Sequence, residues 1–102
     1  MGQNNSYKRV NSQSIGDVIQ QYIKKSGIQP KLDEATIIGQ WEEIVGKMIA
    51  RHTDDIYLKN RKLFIRFNSA ALKQEMSYAK EKIIEKVNHA LGHDAIGEIV
   101  FI

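Results

Sequence analysis

The chain has 102 residues, 42% hydrophobic and 26% charged, with 15 Lys/Arg against 12 Asp/Glu for a formal charge of +3. That length holds one domain with a single modest core, and the composition is that of an ordinary soluble globular protein. The lack of cysteine excludes disulfides, thiolate zinc sites and cysteine nucleophiles, and the mild basic excess permits a nucleic-acid role without demonstrating one.

Residues 1–12, rich in Asn, Gln and Ser with Lys8 and Arg9 as their only charges, read as a flexible polar arm ahead of a domain over 13–102. The N-terminus has no apolar export segment, and no run approaches the roughly 20 apolar residues that span a bilayer. The expected location is the cytoplasm, with no membrane partner.

A first helix is expected over about 15–25. Ser14 with Asp17 fits a capping box, Ile15, Val18, Ile19 and Tyr22 form an apolar stripe, and Gly27 stops it. Pro30 opens a new element, and a second helix starts near Leu32 with Ile37, Ile38, Trp41, Ile44, Val45, Met48 and Ile49 in phase. Trp41 in that company reads as core. Gly39 and Gly46 interrupt the pattern and predict a bend or a break, with Gly46 allowing close packing or a bend beneath the indole.

The period then changes from helical to alternating. "IYLK" (56–59) and "KLFIRF" (62–67) read as two strands, joined by a turn at Asn60-Arg61. Asp54-Asp55, carboxylates that could in principle hold a cation, read instead as the polar turn before them. Ser69 caps one long helix over about 70–90, whose core stripe is Leu72, Met76, Ala79, Ile83, Val87 and Leu91, with Gly92 as its stop. "IGEIVFI" (96–102) closes the domain as a third strand. The order α-α-β-β-α-β is that of a small α+β domain, a three-stranded sheet with helices on one face; strand order stays open.

Catalytic readings find little to stand on. No nucleophile elbow flanks any serine, and "GHDAIG" (92–97) is neither a dinucleotide nor an ATP loop. His52, His89 and His93 stand apart, so no metal ligand set forms. His52 reads as a capping or surface residue, His93-Asp94 as a turn, and Glu42-Glu43 as a solvated helix face. No cofactor and no catalytic residue is expected.

Strand alternation is more informative. Leu63, Ile65 and Phe67 share one face with Ile56, Leu58, Ile99 and Phe101, which is core. The other face gathers Tyr57, Lys59, Phe64 and Arg66, with Val100 or Ile102 beside them. Rings interleaved with cations can stack bases and hold phosphates. They can equally form the centre and rim of a protein interface, including a weak homodimer, or lie under the arm or a helix. A second basic concentration is Lys59, Arg61 and Lys62 at the hairpin, joined by Lys73 and Lys80 on the long helix.

Three stretches, "WEEIVGKMIARHT" (41–53), "LKNRKLFIRFNSAALKQEM" (58–76) and "KVNHALGHDAIGEIVFI" (86–102), together resemble the DciA family of bacterial replicative-helicase loaders. The likeness rests on Trp41, Val45-Gly46, Ile49-Ala50 and His52-Thr53, then Leu63, Ile65, Asn68-Ser69, Leu72 and Glu75. Val87-Asn88, Leu91-Gly92, Ile99 and Phe101 close it. It spans about 13–102 and is similar to the short form of the family, a domain after a small arm. The resemblance implies a KH-like (K-homology-like) fold and a non-catalytic adaptor that binds the replicative DNA helicase and favours its placement on single-stranded DNA. The Gly-x-x-Gly loop of true K-homology domains is absent, so their RNA-clamping mechanism is not carried over. The DNA-contacting groups expected are Lys59, Arg61, Lys62, Arg66 and Lys73, with Tyr57 and Phe64 as stacking partners and Lys8 and Arg9 adding electrostatic capture. An RNA-binding accessory protein using the same surface, and a protein-interaction module without nucleic acid, are the alternatives.

Overall fold

The computed structural model describes residues 15–102, the side chains of residues 20 and 22–26 excepted. The arm with Lys8 and Arg9, and the Ser14 half of the expected capping box, lie outside the described residues.

Helix α1 (Ile15–Ser26) ends at Gly27, whose φ of 76° suits glycine. Its apolar stripe differs from a core stripe, because Ile15, Val18 and Ile19 face solvent. Helix α2 (Gln29–Val45) starts ahead of the expected Leu32 because Pro30 sits in its first turn, where its missing N–H has no role. Ile37, Trp41 and Ile44 repeat at three-four spacing and are all buried. Gly39 passes through the helix without effect, and the interruption falls at Gly46 alone. There φ 93° and ψ 162° are nearly exclusive to glycine, and the short helix α3 (Lys47–Arg51) leaves in a new direction. No atom lies within 4 Å of a Cβ built at Gly46, so the residue serves the bend and not close packing. Gly46→Ala is therefore expected to lower stability by about 1–3 kcal/mol through backbone strain, without a clash, as read by urea unfolding.

Strand β1 (Thr53–Lys59) begins three residues earlier than expected. Asp54 and Asp55 belong to the strand, and a bulge between Thr53 and Asp55 absorbs the extra residue. Asn68 fastens this end: its N–H donates to the His52 carbonyl at 2.9 Å and its Nδ2 to Asp54 Oδ1 at 3.1 Å, while its Oδ1 lies 2.9 Å from His52 Nδ1. His52 is also the C-cap of α3, as its position implied.

Asn60 and Arg61 have φ of 52° and 62°. Two left-handed residues make the type I′ turn whose twist matches a hairpin. Strand β2 (Lys62–Phe67) follows, antiparallel to β1.

Helix α4 (Ala70–Met76) is capped by Ser69, whose Oγ accepts from the Leu72 N–H at 3.2 Å. The single long helix expected here is two helices. At Ser77-Tyr78-Ala79 the backbone tightens to three-residue bonds, with Ala79 N–H donating to the Met76 carbonyl at 2.9 Å, and the Ser77 hydroxyl bonds back to the Gln74 carbonyl. Helix α5 (Lys80–Leu91) then runs to Gly92 in the left-handed conformation. The tight turn redirects the chain while leaving Leu72, Ile83 and Val87 buried, with Met76, Ala79 and Leu91 packed at the rim of the same core.

Strand β3 (Glu98–Phe101) is shorter than expected and lies parallel to β2 on the side away from β1, giving the order β1-β2-β3. Ile96 precedes the strand as a buried plug. Its N–H and carbonyl both bond the Asn88 side chain at 2.9 Å, which replaces the pairing a strand would supply. The core is the inner sheet face (Leu63, Ile65, Phe67, Ile99) against α2 and α5, closed by Trp41. This is a small α+β domain with a mixed sheet, compatible with a KH-like fold.

Candidate nucleic-acid interface

Strand register decides which of the expected groups meet. Tyr57, Phe64 and Val100 form one row across the outer sheet face; Lys59, Lys62 and Glu98 form the next row toward the hairpin. Asp55 and Arg66 lie on the opposite side of the aromatic row. The expected grouping of Tyr57, Lys59, Phe64 and Arg66 on the outer face is therefore observed, with Val100 beside Phe64. Tyr57 and Phe64 stack on each other, centroids 4.7 Å apart and planes within 10°, so a base would meet only the outer face of either ring.

The hairpin cations have separate fates. Arg61 is turned toward the loop before β3. Its guanidinium reaches the Asp94 carbonyl at 3.4 Å and the Asp94 carboxylate at 3.8 Å, and its carbonyl accepts from the Gly97 N–H at 2.9 Å. These contacts hold a residue that bears a left-handed backbone without being glycine. Lys62 approaches Glu98 at 4.0 Å. Lys59 and Arg66 have no ion-pair or hydrogen-bond partner among the described residues.

Lys73 is not with them. It lines a groove of about 470 Å³ on the far side of β3, together with Ala70, Gln74, Ser77 and Lys80 and the strand itself. Lys80 Nζ sits 5.1 Å from the centroid of the Phe101 ring. The expected cations thus divide between the outer face and this groove, with the β3 edge between them. Sequence reasoning missed the groove and Tyr78, 86% exposed in the α4–α5 turn; the apolar stripe through this region hid the turn.

The His93-Asp94 pair also divides. His93 Nε2 lies 3.0 Å from Asp33 Oδ1, and that buried carboxylate also accepts from Gln29 Nε2 at 2.8 Å. Asp94 instead faces Arg61 and Asn88. Both hold the α5–β3 loop to the body. Among the described residues no His, Cys, Asp or Glu gather as three or more around a metal-sized site, and no helix there is long and apolar enough to cross a membrane.

A mixed three-stranded sheet with helices on one face makes this a small α+β domain compatible with a KH-like fold. The family model described as "Dna[CI] antecedent, DciA" matches residues 14–101. The chain belongs to the DciA family. It is similar to a UPF0232 protein of Corynebacterium glutamicum (29% identical over 88 residues, 86% of this chain and 49% of the relative). UPF0232 proteins of Rhodococcus jostii and Mycobacterium tuberculosis are 27% and 26% identical over 84 residues, 82% of this chain and 45% of each relative. The chain spans a little under half the length of these curated relatives.

Proposed function

We propose that this chain is a non-catalytic adaptor of bacterial DNA replication, acting in the cytoplasm, that binds the replicative helicase and assists its loading on single-stranded DNA. Family membership supports the helicase partnership. The nucleic-acid part of the reading is supported by one observation, the outer-face row of Tyr57 and Phe64 flanked by Lys59 and Arg66, cations with no partner among the described residues. Contact of this kind is electrostatic, weak and tolerant of sequence.

Titration of a labelled oligo(dT) strand by fluorescence anisotropy at about 50 and 200 mM salt tests it. Lys59→Ala combined with Arg66→Ala is expected to flatten the log–log salt slope by about 1.4, two single-strand phosphate contacts at about 0.7 each. Arg61 is less informative, since its substitution also disturbs the clasp on Asp94. Tighter binding of a matched RNA would favour the RNA-binding alternative. No binding at low salt would end the direct-contact reading and leave a protein–protein adaptor. The helicase partnership is tested separately, by calorimetric titration of the purified replicative helicase with this chain; absence of heat and of co-elution would overturn it.

A further inference from the structure

Two helices of this domain leave apolar side chains in solvent. On α1 they are Ile15, which is 79% exposed, with Val18 and Ile19. On α2 they are Leu32 and Ile38, and the exposed Ala35 and Gly39 fall on the same side of that helix. At Gly39 no atom lies within 4 Å of a Cβ, so another helix can approach closely there. The face runs on to Glu42 and opens into a groove of about 340 Å³ between α2 and the start of β1. Ile38, Ala50 and Ile56 line the groove together with three carboxylates, Glu42, Asp54 and Asp55, and no cation lines it.

We propose that helix α1 of a second copy of this chain covers this face, running parallel to α2 with its Lys24-Lys25 end at the carboxylates, and that the two copies exchange the helix reciprocally. The spans match: Ile15 to Lys25 and Leu32 to Glu42 are equal steps in sequence, each about 15 Å of helix. Laid parallel, Ile15 meets Leu32, and Val18 and Ile19 meet Ala35 and Ile38. Lys25 then falls at Glu42, beside the groove.

Charge sets the direction, and the direction sets the source of the helix. Within one chain only Gly27 and Ile28 join α1 to α2, and a link that short pairs two helices antiparallel. Folded back in this way, Lys24 and Lys25 fall beside Lys31, while Ile15 and Gly16 fall beside Glu42. Cations then meet a cation, and the carboxylates gain nothing. A second copy is free of the link and can lie parallel. One helix on one groove is a small contact; the reciprocal pair about a two-fold axis doubles it and covers the stripes of both chains. The inference does not rest on the helicase or the nucleic-acid reading.

The test is sedimentation equilibrium of the full chain from micromolar to near-millimolar concentration. A reversible monomer–dimer equilibrium is expected. Ile19→Asp and Ile38→Asp, both at exposed positions, should each leave a monomer with an unchanged circular dichroism spectrum. Glu42→Lys and Lys25→Glu should each weaken the dimer about tenfold, since each creates two like-charge contacts per dimer. An equimolar mixture of these two charge variants should recover the original affinity. In the mixed dimer one contact is the original pair and the other is its reversal. A monomer at every concentration would overturn the proposal, and intramolecular methyl contacts between Val18 and Ile38 in its NMR spectrum would identify the folded-back helix instead. A dimer indifferent to Ile19→Asp, or a mixture no tighter than either charge variant alone, would overturn it as well. The unaltered chain and Ile19→Asp, which lies outside the core, keep the test decisive if a groove variant fails to fold.

Discussion

Trp41→Ala is expected to lower the unfolding free energy by about 3–5 kcal/mol, a large share of the roughly 5–15 kcal/mol that holds a domain of this size. The indole is 4% exposed and closes the core between α2 and the start of β1. Part of the loss is cavity and apolar burial. The rest is a polar relay: Trp41 Nε1 donates to Thr53 Oγ1 at 3.0 Å, and that hydroxyl donates to the Ile49 carbonyl at 2.7 Å. The relay ties α2, α3 and β1 at the point where Gly46 has just bent the chain. Trp41→Phe keeps a ring but loses the donor, and should cost about half as much. Circular dichroism during urea unfolding measures both variants; a loss under about 1 kcal/mol for Trp41→Ala would contradict the core assignment.

Asn88→Ala is the second large effect, expected at about 2–4 kcal/mol. Asn88 Nδ2 donates to the Ile96 carbonyl and its Oδ1 accepts from the Ile96 N–H, both at 2.9 Å. Ile96 is 1% exposed, so removing the amide leaves both its backbone groups buried without a partner. Asn88→Asp keeps the acceptor, loses the donor and sets a carboxylate beside Asp94, so it should not rescue. Hydrogen exchange separates this from a general loss: Ile96 and β3 should open first, while the β1–β2 hairpin keeps its protection. Uniform loss of protection across all three strands would contradict the local clasp.

The outer-face grouping of Tyr57, Lys59, Phe64 and Arg66 was legible because strand alternation is a local signal. Once "IYLK" and "KLFIRF" read as strands joined at Asn60-Arg61, the hairpin register puts Tyr57 opposite Phe64. The same reasoning grouped Arg61 with the free cations, although Asp94, 33 residues away, holds it by its backbone carbonyl. Lys73 was joined to the hairpin for the same reason, since nothing near it in sequence shows that β3 will lie between them.

By itself the sequence determined the elements and their faces: the stripe of Ile37, Trp41 and Ile44, the Ser69 cap, the Gly92 stop, and the division of β2 into Leu63, Ile65 and Phe67 inside and Phe64 and Arg66 outside. Those follow from residue spacing and turn chemistry, which act over a few positions. Tertiary structure decided the rest. It placed β3 parallel beside β2, split the expected long helix at Ser77-Tyr78-Ala79, and drew Asp54 and Asp55 into β1. It left Ile15, Val18 and Ile19 of α1 facing solvent although their spacing matches that of buried stripes. Each of these turns on which distant surface comes to lie against the segment, and periodicity carries no record of that partner.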